Sequence, residues 1–140
     1  MTNKTLHMMV GLPRCGKSTK ARELGFPIVN PDSIQLVIHG TPFRKEIEPL
    51  VWATAKIMLR SLFEAGHDNV TLDATNVTNA RRVEWESDEW DIKYYIFTTP
   101  VSTCKQRAID TNQEYLVDVI DKMYDDWEKV GDVKDYVTLR

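Results

Sequence analysis

The amino-acid sequence predicts an α/β fold, a parallel sheet of four to five strands with helices on both faces. Short apolar runs alternate along the chain with longer segments whose apolar residues recur at helical spacing. Strands that alternate with helices in this way are typical of a parallel sheet covered on both sides. The chain has 140 residues and no repeat, linker or change of composition, so we expect one domain over residues 1–140.

The apolar runs are the predicted strands. The first four are each followed by a polar or helix-starting segment, and the last is expected to be a short edge strand. They cover Leu6–Val10, Ile28–Asn30, Val70–Asp73, Tyr94–Thr98 and Tyr136–Leu139.

Two long helices are predicted, with shorter ones at Ser18–Leu24, from Asp32, from near Asn79 and at Ser102–Asp110. The first long helix runs from about Arg44 to Ala65 and ends at Gly66, and the second runs from about Tyr115 to Val130 and ends at Gly131. Each is expected to bury one face. The inward residues would be Ile47, Leu50, Val51, Met58 and Leu62, and then Leu116, Val119, Ile120, Met123 and Trp127.

The segment between the first strand and the first helix reads Gly-Leu-Pro-Arg-Cys-Gly-Lys-Ser, from Gly11 to Ser18. It fits the phosphate-binding pattern G-x-x-x-x-G-K-[ST] at every constrained position, and the strand–loop–helix setting is the one this motif requires. The sequence therefore predicts the three-layer P-loop NTPase fold and a bound nucleoside triphosphate, ATP or another. The alternative is a glycine-bearing turn that merely precedes a helix.

The chemistry of the loop follows from its residue types. Gly11 and Gly16 would allow positive φ, and consecutive backbone N–H groups would then surround an anion at the helix N-terminus. Lys17 would lie across the β- and γ-phosphates, and Ser18 would bind Mg²⁺. The predicted nucleotide-binding residues are Gly11, Pro13, Arg14, Cys15, Gly16, Lys17, Ser18 and Thr19.

Two aspartates follow predicted strands, where ligands bind in open parallel sheets. Asp32, in Asn-Pro-Asp-Ser, is a candidate general base for an attacking hydroxyl, or else a helix cap. Asp73 ends an apolar strand, as the metal-directing acid of P-loop enzymes does, although turns also favour aspartate there.

Further polar residues are weaker candidates. Asn76 could contact substrate or cap the next helix. Arg81 and Arg82 could bind an acceptor phosphate, or could lie on a solvated helix face beside two glutamates. Arg107 is a candidate lid arginine that stabilises transferring phosphate.

Composition limits the setting. The formal net charge is −3, so contact with nucleic acid would need a local basic patch, for which candidates are Arg44, Lys45, Lys56, Arg60, Arg81 and Arg82. Apolar runs are too short to span a membrane, and no signal-peptide pattern is present. The two cysteines fit no metal spacing, which favours a reduced, cytoplasmic location. The oligomeric state is left open.

The chain resembles the kinase domain of 5′-hydroxyl polynucleotide kinases, found in phage and bacterial end-repair enzymes. The resemblance is carried by Gly11–Ser18 with Thr19, by Asn30-Pro31-Asp32, by Asp73-Ala74-Thr75-Asn76 with the arginines after it, and by Cys104–Arg107. It implies an ATP- and Mg²⁺-dependent kinase. In such an enzyme Asp32 would activate the acceptor hydroxyl, and Arg107 would contact donor phosphates.

Two departures concern the acceptor. The family has an arginine three residues after its catalytic aspartate to hold the acceptor phosphate, and Gln35 stands there instead. The family lid carries further arginines after the first, which this chain lacks, while Arg14 is unusual inside the loop. Three hypotheses remain. The chain is a kinase for nucleic acids or nucleotides, with a phage-type kinase for hydroxymethyl-pyrimidine DNA as one variant, or a small-molecule kinase, or an ATP-binding regulatory module.

Overall fold

The computed structural model describes residues 2–40, 45–131 and 135–140. Its strands are β1 (Thr5–Val10), β2 (Ile28–Val29), β3 (Asn69–Leu72), β4 (Asp91–Phe97) and β5 (Tyr136–Leu139). Its helices are α1 (Lys17–Leu24), α2 (Pro31–His39), α3 (Glu48–Glu64), α4 (Asn79–Val83), α5 (Val101–Asp110) and α6 (Leu116–Asp126), with a 3₁₀ turn at Lys45–Ile47 before α3.

The strands form one five-stranded sheet in the order β2-β3-β1-β4-β5, and every pair is parallel. The predicted α/β class and strand number are thereby confirmed. Since β1 lies at the centre, the loops that follow β1, β3 and β4 emerge side by side at the carboxyl edge of the sheet, where ligands bind in this architecture.

Alternation along β1 builds an apolar core on each face of the sheet. Leu6, Met8 and Val10 face the core against α2 and α3, and Met9 faces a second core against α5 and α6. Both cores are closed by helices, which accounts for the almost continuous apolar character of the central strand.

The buried stripe of α3 differs from the predicted one. Val51, Ala55, Leu59 and Phe63 are buried at strict four-residue spacing, whereas Leu50 and Met58 are exposed. The small Ala55 is fully buried where the helix meets the sheet. A pattern of large apolar residues does not include such a position. The predicted start at Arg44 falls outside the described residues.

Helix α6 ends at Asp126, earlier than the predicted end near Val130. At Trp127 ψ becomes 124°, and its side chain packs against both apolar cores. The next residue donates its backbone N–H to the carbonyl oxygen of Val77 at 2.8 Å. Tertiary contacts therefore end this helix before Gly131 is reached.

Within the described residues, no helix combines the length and apolar character needed to cross a membrane. Cys15 and Cys104 are free and buried in the same apolar cluster. Burial raises the pKa of both thiols.

Candidate active site

The phosphate-binding loop connects β1 to α1 and has two residues in the left-handed region. Gly16 has φ 107°, and Arg14 has φ 66°. Gly11 is not among the residues with positive φ, so the positive φ predicted for this glycine is wrong, and what remains is the need for a residue without a Cβ. A Cβ there would lie 2.5 Å from Cys15 Sγ and 2.9 Å from Phe97 Cβ. Gly11 is required for space, and the positive φ falls on Arg14 instead.

Neighbouring loops hold this loop in place. The Gly11 backbone N–H donates to the carbonyl oxygen of Thr75 at 2.9 Å, and the Thr99 hydroxyl donates to the carbonyl oxygen of Cys15 at 3.0 Å. Arg107, on α5, donates from Nη1 to the carbonyl oxygen of Arg14 at 3.1 Å. The structure thus brings the predicted lid arginine to the loop across 93 residues of sequence.

The Lys17 ammonium group lies inside the loop. It donates to the carbonyl oxygen of Leu12 at 2.7 Å and lies 3.8 Å from Cys15 Sγ. The residue is 8% exposed. Its positive charge is therefore held inside the loop, where the β- and γ-phosphates of a nucleotide are predicted to bind.

Ser18 and Asp73 meet at the edge of the sheet, as the metal prediction required. Ser18 Oγ donates to Asp73 Oδ2 at 2.7 Å, and Asn30 Nδ2 donates to the same oxygen at 3.3 Å. One hydroxyl and one buried carboxylate suit Mg²⁺, which commonly takes one or two protein ligands and completes its shell with phosphate and water. In the described part of the chain, no group of three or more His, Cys, Asp or Glu residues could hold a metal without a nucleotide.

Asp32 occupies the first turn of α2, which begins after Asn30. The Asn30 side chain caps this helix by accepting from the N–H groups of Asp32 and Ser33, so Asn30, not Asp32, is the N-cap. Among the described residues, the Asp32 carboxylate has no hydrogen-bond partner. Loss of hydration raises the pKa of Asp32, the charge of Lys17 lowers it and that of Asp73 raises it. Water still reaches the side chain, which limits the rise.

A cleft of about 510 Å³ adjoins the Ser18–Asp73 pair. We call it the α1–α3 cleft because α1, α2, α3 and β2 line it. Its apolar wall consists of Ile28, Ile34, Val37, Ile38 and Met58. Its polar lining consists of Ser18, Arg22, Asn30, Ser33, Thr54 and Asp73.

Arg82, predicted to bind an acceptor phosphate, is 4% exposed and bonded within the protein. Its Nη1 donates to the carbonyl oxygen of Asn76 at 2.8 Å, and its Nη2 donates to the side chain of Asn79 and, at 2.7 Å, to the carbonyl oxygen of Glu128. Burial lowers the pKa of Arg82, and Glu128 partly offsets this. This side chain fastens two loops together, and the geometry does not support its prediction as a substrate ligand.

The other predicted substrate residues are placed differently. Asn76 is 1% exposed, has φ 47°, and donates to the carbonyl oxygen of Met9 at 2.9 Å, so it joins the loop after β3 to β1. Arg81 stacks on Trp52 at 3.8 Å. Gln35 is 3% exposed and does not line the α1–α3 cleft. Pro13 and Thr19 remain accessible at the loop and at the start of α1.

Three contributing residues were not predicted from the sequence. Thr99 follows β4 and holds the phosphate loop, Asn30 follows β2 and contacts Asp73, and Arg22 lines the cleft. A polar residue just after a parallel strand was the available signal for the first two. Arg22 is one helical turn after Ser18, so the helical period could have placed it on the same face.

Comparison with family models finds a match over residues 6–127 to the family described as the AAA domain. The chain belongs to this family. No curated protein matches the sequence at a significant level.

Solved structures similar to this AAA domain chain include kinases of several kinds. A chain in the structure of the Pnkp1/Rnl/Hen1 complex is 26% identical, with a TM-score of 0.65, over 74% of this chain and 39% of that one. A gluconokinase from Sinorhizobium meliloti is 15% identical, with a TM-score of 0.63, over 99% and 85%. A fungal RNA kinase is 14% identical, with a TM-score of 0.58, over 100% and 75%.

These similarities confirm the predicted P-loop kinase fold and support the prediction of a phosphotransferase. This AAA domain chain spans 39% of the chain it matches in the Pnkp1/Rnl/Hen1 complex. Since the other two relatives are less than 25% identical, their likeness concerns the fold.

Proposed function

We propose that this protein is an ATP-dependent kinase that transfers the γ-phosphate to a hydroxyl of a nucleic acid or nucleotide. The observation that carries the proposal is the free Asp32 carboxylate, which lies in the electrostatic range of both Lys17 and Asp73. A protein that only binds nucleotide needs no unpaired carboxylate near Lys17 and Asp73. A kinase needs a base there to accept the proton of the attacking hydroxyl.

The described residues divide the chemistry between them. The loop N–H groups and Lys17 bind the donor phosphates, and Arg107 stabilises charge on the transferring group. Asp32 accepts the acceptor's hydroxyl proton as the new oxygen–phosphorus bond forms and the bond to ADP breaks. Ser18 and Asp73 would hold Mg²⁺, which neutralises charge on the donor phosphates when it is bound.

Two findings favour a nucleic-acid or nucleotide acceptor. The first is the 26% identity to a chain of the Pnkp1/Rnl/Hen1 complex, and the second is that the segments carrying the resemblance to polynucleotide kinases meet at one edge of the sheet. A phage-type kinase for hydroxymethyl-pyrimidine DNA is one form of this proposal. The gluconokinase likeness makes a small-molecule hydroxyl the second candidate.

The test is transfer of labelled γ-phosphate from ATP·Mg²⁺ to a panel of acceptors. The panel contains 5′-hydroxyl DNA and RNA, hydroxymethyl-pyrimidine DNA, nucleosides and sugars. We expect transfer to at least one nucleic acid or nucleotide, and loss of that transfer in Asp32→Asn with ATP binding retained. Transfer to sugars alone would favour the second candidate. Normal transfer by Asp32→Asn would remove Asp32 from the mechanism.

A further inference from the structure

We infer that Arg22 binds an anionic group of the phosphate acceptor while the apolar wall of the α1–α3 cleft holds the acceptor's base. The acceptor would then be a nucleotide or the end of a nucleic acid rather than a sugar acid. This inference rests on the proposed function, because it concerns the acceptor side of the same site.

Arg22 is placed to meet the acceptor. It lies one turn after Ser18 on α1, and positions four apart share a helix face. Arg22, Ser18 and Asp73 all line the α1–α3 cleft. The Arg22 side chain is exposed, and its guanidinium has no hydrogen bond or ion pair within the described part of the protein. An unpaired fork of N–H donors in the cleft that Ser18 and Asp73 also line suits a phosphate or carboxylate.

The charge balance of the cleft points the same way. Arg22 is the one cationic side chain among the described residues that line it, and Asp73 is the one anionic side chain. Asp73 is already engaged by Ser18 and Asn30. Gln35 is 3% exposed and does not line the cleft, whereas Arg22 is exposed and does. A negatively charged acceptor is therefore complementary to Arg22 and to no other lining group.

The apolar wall of the cleft decides between a base and a sugar acid. Ile28, Val37, Ile38 and Met58 line the cleft and are exposed, from 36% for Ile28 to 85% for Val37. A polyhydroxylated sugar placed against them would lose hydrogen bonds to water without replacement, which is costly. A nucleobase presents a flat face of low polarity that can pack against aliphatic side chains while its polar edges stay hydrated.

The experiment measures equilibrium binding of a nucleoside 3′-monophosphate, the uncharged nucleoside and gluconate in saturating ADP, which occupies the phosphate-binding loop and cannot donate a γ-phosphate. The variants are Arg22→Ala and Arg22→Lys, with Lys20→Ala as the matched control because it removes a positive charge from α1 outside the cleft lining. We expect Arg22→Ala to weaken monophosphate binding by about 10- to 100-fold and to leave nucleoside binding unchanged. Arg22→Lys should weaken it less, since it retains the charge and loses the fork.

Several outcomes would overturn the inference. These are equal binding of the monophosphate and the nucleoside by the unaltered protein, an equal loss for both ligands in Arg22→Ala, or an equal loss in Lys20→Ala. Tighter binding of gluconate than of the monophosphate would overturn the acceptor class. Arg22-dependent binding without γ-phosphate transfer to any acceptor would sustain the inference and refute the kinase. Phosphate transfer at an unchanged rate in Arg22→Ala would refute the inference and sustain the kinase.

Discussion

Replacing Arg82 with alanine should lower the stability of the folded protein and should leave its affinity for substrate unchanged. The guanidinium joins the loop after β3 to the chain after α6, through carbonyl oxygens at Asn76 and Glu128. Alanine removes both donors and leaves the buried Asn76 carbonyl without this partner. Alanine also removes the bonds from Arg82 to the carbonyl oxygens of Glu128 and Lys129. Within the described residues, the bonds between Asn79 and Glu128 then hold the segment after Trp127 to α4.

The expected size follows from these bonds. A hydrogen bond from a charged donor contributes about 1.5–3 kcal/mol, so losing two costs about 3–6 kcal/mol. For a chain of 140 residues, each kcal/mol lowers Tm by about 3 °C. Arg82→Ala should therefore melt about 9–18 °C below the unaltered protein, and its urea midpoint should fall correspondingly.

The adjacent arginine is the control. Arg81 stacks on Trp52 at 3.8 Å and pairs with Glu84 at 3.2 Å, contacts that are both partly open to water. Such contacts are worth about 1 kcal/mol together, so Arg81→Ala should melt within about 3 °C of the unaltered protein. The reasoning fails if Arg82→Ala keeps its Tm and its acceptor KM rises, which is the signature of a substrate ligand.

Three other predictions concern the phosphate-binding loop and Asp32. Lys17→Ala should abolish the rise in Tm that ATP·Mg²⁺ produces, and unchanged stabilisation would contradict the assignment of the loop. Gly11→Ala should lower stability by about 1–3 kcal/mol, because its Cβ would collide with Cys15 and Phe97; a Tm equal to that of the unaltered protein would show that the loop yields freely. The raised pKa of Asp32 shifts the acid limb of kcat/KM to a higher pH than an unperturbed aspartate would give. Activity should be lost as pH falls through that pKa, since protonation removes the base, and Asp32→Asn should lack the limb.

The elements governed by local pattern were predicted well. The run from β1 through the loop into α1 depends on neighbouring residues, and β5 lies at the predicted Tyr136–Leu139. The early end of α6 was not predicted, because it depends on a backbone bond between Glu128 and Val77, far apart in sequence. Helical periodicity cannot register a contact of that kind.

The sequence predicted which kinds of residue lie at the site better than it predicted what each of them does. Ser18 and Asp73 meet as the strand ends implied, since the carboxyl ends of parallel strands share one edge. The burial of Arg82 was not predicted, because two of its partner carbonyls lie 46 and 47 residues further along the chain. Arg22 was missed because its importance arises from the cleft that α2 and α3 complete, which the sequence of α1 alone does not contain.

The bond between Lys17 and the Leu12 carbonyl has a consequence for ligand discrimination. An ammonium group has three N–H donors, and the two acceptors that Lys17 has in the structure, the Leu12 carbonyl oxygen and Cys15 Sγ, are both uncharged. An anionic ligand therefore meets a full positive charge that the loop holds in place and does not cancel. A neutral nucleoside brings no charge to the ammonium group, whereas a triphosphate brings several formal negative charges. Affinity should therefore rise steeply from nucleoside to mono-, di- and triphosphate, and the unliganded loop keeps the ammonium group positioned with its charge intact.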